Sequence, residues 1–502
     1  MPRNLIVVVF DTLRYDAVFG DLARMPNLRR FAEQSATFTN AWGEGLPTIP
    51  FRRALHTGIR SFPWRHHVPD RGSHPNILGW HAVPEAHTTA AEYLYAHGYA
   101  TQLVGDVWHM FKATQNFIRG FVSWDFIRGQ EGDTYRFGAE SLKTAADLDA
   151  TRMGPAAYLY QVRNRVRDDE YFVAQVLDRA GEFVQQVQGA APYCLWVESF
   201  APHEFWDPPL RFADAYFQKD GLKNYIVPQL LNRIPEGLAG ATAANNRRLT
   251  QGASGLAPGE EPSADDLART KALYQGYCTF CDERFGRFLE VLERSGALAD
   301  SVVAVLSDHG TELWDKGQFG KSGARMYPYN TQINLMIRHP DGEGAGSKIG
   351  AFVQNQDILP TLLALLGVPH RRLDGDNLWP LITGAPTSED LAARDHIVIG
   401  WETYASVRDR EWNLLVNTTA PEKDLKLFQL TDDPAESKNV AADYPQVVAK
   451  QLSRLEALLG APLPAVYQHR PLRGSAATAG GLRQLRAQAA QPGERWVGSN
   501  QV

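Results

Sequence analysis

The sequence predicts an α/β fold with a doubly wound, mostly parallel sheet flanked by helices, followed by a small antiparallel sheet with one helix. Two observations support this prediction. Short apolar runs alternate with helical segments over most of the chain, which is typical of parallel sheets built from βαβ units. From about residue 400 the apolar runs become shorter and lie closer together, which is typical of antiparallel strands.

The large sheet is predicted from apolar runs long enough to be buried strands. These runs are 4–11, 36–41, 100–105, 193–200 and 302–307, and helices are predicted at 26–34, 88–97 and 271–294. Ligands of such folds bind where the carboxyl ends of the strands meet. Asp11, Asp308 and His309 stand at strand ends and are therefore the first site candidates.

The chain divides into three predicted parts: a large α/β domain that would carry the site, 1–395, a small α+β subdomain, 396–463, and an Arg-, Ala- and Gln-rich tail, 464–502. Residues of about 110–190 are interpreted as a mostly helical, polar insertion, and about 234–265 as a long loop. Strands at 397–400, 405–408, 413–416 and 426–429 and a helix at 444–459 form the subdomain. We expect the basic tail to be solvated or to join subunits in a homo-oligomer.

Composition limits the classes of partner. The net charge of -6 argues against a nucleic-acid partner. Neither a transmembrane run nor a signal peptide is visible, because the apolar stretch Leu5 to Phe10 is too short for a span and lacks a cleavage region. We therefore expect a cytoplasmic protein without a membrane partner.

Cys278 and Cys281 form a C-x-x-C pair that is open to two interpretations. The spacing occurs in redox and zinc sites. The pair lies inside a predicted helix, and no second Cys/His pair follows to complete a zinc site. We favour two buried thiols one helical turn apart.

Thr48, Pro50 and Arg52 form the most informative local pattern. Pro50 suits the first turn of a helix, which places Thr48 near the positive N-terminus of that helix. Arg52 lies on the same face, four residues on, where its guanidinium could hold an alkoxide and an ester oxygen. Thr48 is therefore either a nucleophile or simply an N-cap.

Asp11, Asp308 and His309, with the Thr48 oxygen as a further ligand, suit one divalent metal ion. Two carboxylates and an imidazole favour Mn²⁺ or Zn²⁺ over Ca²⁺, which prefers an all-oxygen shell. Acids at strand ends also serve as helix caps, so the residues alone leave both interpretations open.

Several ordered motifs decide between these interpretations. They are Asn4 to Arg14, Thr48-x-Pro50-x-Arg52 with Thr57-Gly58, Ala201-Pro202-His203, Ser307-Asp308-His309-Gly310 with Lys321, and Leu430 to Glu436 with Asn439. In this order they resemble the sulfatase family of the alkaline phosphatase superfamily over nearly the whole chain. The resemblance implies a metal at Asp11, Asp308 and His309. It also implies that His203, a general acid, and Lys321 surround the ester and leaving-group oxygens.

Three departures from the family pattern matter. Thr48 replaces the Cys or Ser that is converted to formylglycine, so no formylglycine is expected. Thr12 replaces a second Asp. The family's Gly-Lys-Trp-His becomes Gly105-Asp106-Val107-Trp108-His109, which loses the lysine and shifts the acid-base candidate His109.

These departures favour phosphorus over sulfur at the reacting centre. Thr cannot release sulfate by hemiacetal collapse, whereas a phospho-Thr ester can be hydrolysed by water with metal help. We therefore expect a metal-dependent hydrolase of a small, singly charged phosphodiester or phosphonate monoester. The alternatives are a sulfate-ester hydrolase of the arylsulfatase kind and a catalytically silent sulfatase-like binding protein.

Overall fold

The computed structural model describes residues 3–64, 77–112, 115–131, 164–217 and 264–467, together with positions 133, 135, 136, 158, 161 and 162. The predicted loop at 234–265 lies almost entirely outside this part of the chain, and so does most of the tail. Within the described ranges, no helix combines the length and apolar character that crossing a bilayer requires.

The strands in chain order are β1 Asn4–Phe10, β2 Ala36–Phe38, β3 Ala41–Trp42, β4 Gly45–Leu46, β5 Ala100–Gly105, β6 Ser123–Phe126, β7 Tyr193–Ser199, β8 Ser301–Ser307, β9 Glu312–Leu313, β10 Phe319–Gly320, β11 Leu335–Arg338, β12 Lys348–Ile349, β13 Val353–Gln354, β14 His396–Trp401, β15 Tyr404–Asp409, β16 Trp412–Asn417 and β17 Leu425–Gln429. The helices are α1 Tyr15–Phe19, α2 Pro26–Glu33, α3 Ile49–Thr57, α4 Ala90–Ala96, α5 Phe172–Val187, α6 Leu210–Asp214, α7 Ala264–Arg294, α8 Ala297–Asp300, α9 Pro328–Thr331, α10 Ile358–Leu365, α11 Pro380–Thr383, α12 Glu389–Ala392 and α13 Pro445–Leu459.

The predicted fold class is confirmed. Among the described residues, the large sheet has the order β12-β2-β11-β8-β1-β7-β5-β6, and β11 alone runs antiparallel to its neighbours. The residues of β1 are fully buried and alternate between two cores. Ile6, Val8 and Phe10 pack with one helical layer, whereas Leu5, Val7 and Val9 pack with the other. Burial on both faces explains why this strand is a continuous apolar run.

The sequence predicts an insertion outside the main fold at about 110–190. That prediction is wrong for two described elements of this stretch, β6 and α5, because both belong to the main fold. β6 extends the large sheet beside β5. The helix α5 buries Val173, Val176, Ala180 and Val184 in the main core. Their spacing of three and four residues places them on one face of the helix, so α5 packs as an ordinary layer helix. Residues 137–157 lie outside the described part of the chain.

Small differences concern element ends. The predicted strand 36–41 is two short strands, β2 and β3, and α7 starts several residues before the predicted helix. Cys278 and Cys281 are free and buried within α7, and burial raises the pKa of both thiols. The prediction of two buried thiols is confirmed.

The predicted small antiparallel sheet is also present, with one unexpected member. Strands β14 to β17 pair antiparallel in sequence order, as predicted. Their sheet also includes β4, which pairs parallel to β14 through Gly45 with Gly400 and Leu46 with Trp401. The segment that leads into Thr48 is therefore a strand of the C-terminal sheet.

Candidate active site

Three sequence-predicted residues meet where the central strands end. Asp11 follows β1, and Asp308 and His309 follow the neighbouring strand β8. All three are fully buried, and one ligand atom from each lies within 4.8 Å of the others. Close packing continues beyond His309, because a Cβ atom on Gly310 would stand 2.0 Å from the carbonyl oxygen of Tyr329. Only glycine leaves room for this approach.

Thr48 lies beside this cluster at the start of α3. Its Oγ1 is 3.3 Å from Nε2 of His309, and the side chain is buried. Thr48 stands at the N-cap position of α3, but its side chain makes no capping hydrogen bond. Its backbone has φ 36° and ψ -76°, a conformation that is unfavourable for a β-branched residue. Strained backbone of this kind is concentrated at active sites and ligand-binding segments.

Arg52 lies inside the site, one helical turn beyond Thr48. Its Nη1 donates to Asp308 Oδ2 at 2.6 Å and to Asp11 Oδ2 at 3.1 Å, and its Nε donates to Glu198 Oε2 at 2.8 Å. Burial alone would lower the pKa of Arg52, but the carboxylates of Glu198, Asp308 and Asp11 outweigh it and raise the pKa. Most of the guanidinium thus neutralises the cluster, and only the buried Nη2, which has no hydrogen-bond partner, is left for a ligand.

The buried donor set fits a divalent cation. Burial lowers the pKa of His309 to about 3, so its ring is neutral. Nδ1 of His309 donates to the carbonyl of Gly310 at 3.0 Å, which leaves Nε2 as the free ligand atom. Burial and the charge of Asp308 raise the pKa of Asp11, because two adjacent carboxylates repel each other when both are charged. A cation between them would relieve this repulsion.

Lys321 and His203 form one wall of the site through a glutamate that the sequence reasoning missed. Glu204 Oε2 is 3.0 Å from Lys321 Nζ and 3.1 Å from His203 Nδ1. Burial would raise the pKa of Glu204, but Lys321 and His203 outweigh it and lower the pKa, so Glu204 stays charged. Its position directly after His203 was the one sequence signal that could have pointed to it.

Thr12 lies between this wall and the cluster of Asp11, Asp308 and His309, and it contacts both. Its Oγ1 donates to Asp11 Oδ1 at 2.7 Å and accepts from Lys321 Nζ at 3.1 Å. The hydroxyl thus occupies the place beside Asp11 where the family pattern has a second carboxylate. It adds a hydrogen bond to the cluster and no negative charge.

His109 lies near His203 despite the inserted residue before it. Phe200 stacks on His203 with ring centroids 4.1 Å apart and contacts His109 at 5.9 Å. Nε2 of His109 is 3.2 Å from Oε2 of Glu131, which belongs to the polar turn 129–133. Burial lowers the pKa of His109 to about 4.

Asp106 takes the place of the missing family lysine and points into the protein. Its carboxylate accepts from the backbone N–H of Phe200 at 2.6 Å and from Gln130 Nε2 at 3.3 Å. Burial raises the pKa of Asp106 to about 7. This residue therefore supports the segments that carry His203 and Glu131, and it adds no cation to the site.

Comparisons with known proteins agree with this geometry. A sequence model of the Sulfatase family matches residues 3–368. Arylsulfatase K of Rattus norvegicus is 23% identical over 93% of this chain and 80% of its own length. Choline-sulfatase of Rhizobium meliloti (strain 1021) is 23% identical over 87% of this chain and 82% of its own length.

A solved structure shows the same fold. Phosphonate monoester hydrolase of Agrobacterium radiobacter superposes with a TM-score of 0.66 at 22% identity, covering 91% of this chain and 95% of that chain. The family match spans more than half of the chain and includes the strand-end residues that form the buried Asp/Asp/His cluster. The chain is therefore a member of the Sulfatase family, a family of metal-dependent ester hydrolases with the alkaline phosphatase-like fold.

Proposed function

We propose that this protein hydrolyses a phosphodiester or a phosphonate monoester with Thr48 as the nucleophile. The observation that carries the proposal is the place of the Thr48 hydroxyl, 3.3 Å from His309 and at the positive end of α3. An unmodified threonine hydroxyl forms an ester that can be released only by attack at its central atom, and this is more tractable at phosphorus than at sulfur.

The residues divide the first step between them. Thr48 Oγ bonds to phosphorus as its hydroxyl proton is lost to solvent. The bond from phosphorus to the leaving oxygen breaks as that oxygen takes a proton from His203, and solvent then restores the proton of His203. Arg52 Nη2 and Lys321 balance the negative charge that develops. A divalent ion at Asp11, Asp308, His309 and Thr48, for which we favour Mn²⁺ or Zn²⁺, would supply Lewis-acid stabilisation when bound.

The charges of the wall favour a singly charged substrate. Lys321 is already paired with Glu204, and a buried aspartate stands where the family has a further lysine. A phosphate monoester dianion would therefore meet too few free cations. Diesters and phosphonate monoesters carry one negative charge and avoid this mismatch.

Sulfate-ester hydrolysis is the second candidate, because a sulfate monoester is also singly charged and the sequence relatives carry sulfatase names. The third is a silent binding protein. The buried cluster of Asp11, Asp308, His309 and Arg52 argues against silence, since such a costly arrangement of charges has no evident use without a ligand.

The test compares nitrophenyl esters of sulfate, phosphate, phosphodiester and phosphonate type, with Mn²⁺ or Zn²⁺ added. Thr48→Ala is the variant, and the exposed Thr419→Ala is its matched control. Diester or phosphonate turnover that leads by orders of magnitude and disappears only in Thr48→Ala supports the proposal. Leading sulfate turnover establishes the second candidate, and metal binding without any turnover favours the third.

A further inference from the structure

Glu131 belongs to a polar turn, yet its side chain points to two aromatic residues. Its Oε2 accepts from Trp108 Nε1 at 2.6 Å and lies 3.2 Å from His109 Nε2. Burial would raise the pKa of Glu131, but His109 and then His203 outweigh it and lower the pKa, so the side chain is a carboxylate. A fixed anion therefore faces one nitrogen of the His109 ring.

The backbone of Glu131 is held in a costly conformation. Its φ of 47° is in the left-handed region, which a non-glycine residue adopts at a cost of about 1 kcal/mol. The turn is fixed by Asp133, which accepts from the Gly129 N–H at 2.8 Å and from Arg128 Nε at 2.7 Å. This framework aims the Glu131 carboxylate at His109.

The contact with Glu131 determines what the other ring nitrogen can do. A carboxylate accepts hydrogen bonds only, so Nε2 of His109 carries the proton and Nδ1 keeps its lone pair. Nδ1 is buried and has no hydrogen-bond partner. A buried acceptor without a hydrogen-bond partner lowers the stability of the folded state. Such an atom is expected where a substrate or a reacting water supplies the missing donor.

The proposed threonine nucleophile creates a need for such an acceptor. Hydrolysis of a phospho-Thr48 ester requires a water that loses a proton as it attacks. We propose that Glu131 is a positioning residue that holds His109 in the Nε2–H tautomer, so that Nδ1 accepts this proton. The inference rests on the proposed function for the identity of the ester.

The second step is the hydrolysis of the phospho-Thr48 ester. The water oxygen bonds to phosphorus, the bond from phosphorus to Thr48 Oγ breaks, and the water proton moves to His109 Nδ1. That proton returns through solvent to Thr48 Oγ, so both groups end the cycle neutral. The resulting imidazolium would face the Glu131 carboxylate, with Lys112 and His203 as the other ionisable groups that act on His109.

The first test is spectroscopic and needs no substrate. Nitrogen-15 NMR of the full-length protein should show His109 as one Nε2–H tautomer. Glu131→Gln keeps an acceptor and should retain the tautomer while lowering the pKa of the ring, whereas Glu131→Leu should mix the two tautomers. Trp108→Phe, which removes the other N–H that Glu131 accepts from, and the exposed Glu182→Gln are controls that should leave the tautomer unchanged.

The second test separates the two chemical steps. With a nitrophenyl phosphonate, Glu131→Leu should lower kcat about 10- to 100-fold. KM should fall in parallel, kcat/KM should stay unchanged, and the release of nitrophenol should show a burst equal to the enzyme concentration. Glu131→Gln should recover part of kcat.

Either of two results overturns the inference: an unchanged His109 tautomer in Glu131→Leu, or a fall in kcat/KM without a burst. The tautomer measurement stands even if Thr48→Ala remains active, so failure of the proposed function is distinguishable from failure of this inference.

Discussion

Arg52 Nη1 lies 2.6 Å from Asp308 Oδ2, inside the buried cluster that also contains Asp11 and His309. Both side chains are fully buried, and the same guanidinium also contacts Asp11 and Glu198. Arg52 therefore offsets part of the negative charge of three carboxylates that share one buried site. Arg52 thus has a structural role in addition to any contact that its Nη2 makes with a substrate.

Replacing Arg52 should destabilise the fold. Removing one partner of a buried ion pair leaves an uncompensated charge, which costs about 3–5 kcal/mol. We expect a loss of this size in the free energy of unfolding of Arg52→Met, measured with denaturant in the presence of chelator. The exposed Arg179→Met is the control. A loss below about 1 kcal/mol would show that the cluster does not depend on Arg52.

Metal binding should be visible as stabilisation. A ligand that binds only the folded state adds about 2.7 kcal/mol at a hundred times its Kd. Added Mn²⁺ or Zn²⁺ should therefore raise the Tm of the wild type, whereas Asp308→Asn and His309→Gln should abolish the increase. The exposed Asp300→Asn should behave as the wild type. An equal increase in all four proteins would place the metal elsewhere.

His203 should matter more for poor leaving groups than for good ones. An alkoxide needs a proton to depart, whereas nitrophenolate does not. General acid catalysis contributes about 10²- to 10⁴-fold, so His203→Gln should lose this factor with an alkyl ester and much less with a nitrophenyl ester. The comparison uses kcat/KM for both esters. Equal losses would remove His203 from the role of general acid.

Asp106 should make the stability depend on pH. Burial raises the pKa of Asp106 from 3.8 to about 7, so the folded state keeps a proton that the unfolded chain has lost. The contribution of Asp106 to the free energy of unfolding is fully present below about pH 4. It decreases as the pH rises towards 7, by about 1.4 kcal/mol for each pKa unit.

The variant Asp106→Asn stays neutral and removes this dependence. Its free energy of unfolding, relative to that of the wild type, should therefore be more favourable at pH 8 than at pH 5. Urea unfolding at the two pH values measures the difference. An identical difference at both would mean that Asp106 titrates normally.

The proximity of Asp11, Asp308 and His309 could be predicted from the sequence because two simple rules apply to them. Buried parallel strands are continuous apolar runs, and their carboxyl ends meet at one edge of the sheet. Asp11 and Asp308 follow such runs, so their proximity could be predicted without coordinates. Thr48 was found through its motif, and its distance from His309 follows from the same edge.

The glutamates of the site could not be found in this way. Glu131 stands in a turn that has no periodic pattern, and its contact with His109 depends on how two loops pack. Glu204 pairs with Lys321 across more than a hundred residues. The strand Ser123–Phe126 was missed because two of its four residues are exposed and two are only partly buried, so they form no apolar run.

The pairing of Gly45 and Leu46 with Gly400 and Trp401 has a practical meaning for anyone shortening this chain. The two residues before Pro47 and Thr48 would lose their strand partner if the chain stopped ahead of His396. A fragment that kept Asp11, Asp308 and His309 would thus be expected to lose the backbone geometry around Thr48. The C-terminal sheet therefore supports the segment that leads into Thr48, and the two parts of the chain should be expressed and engineered together.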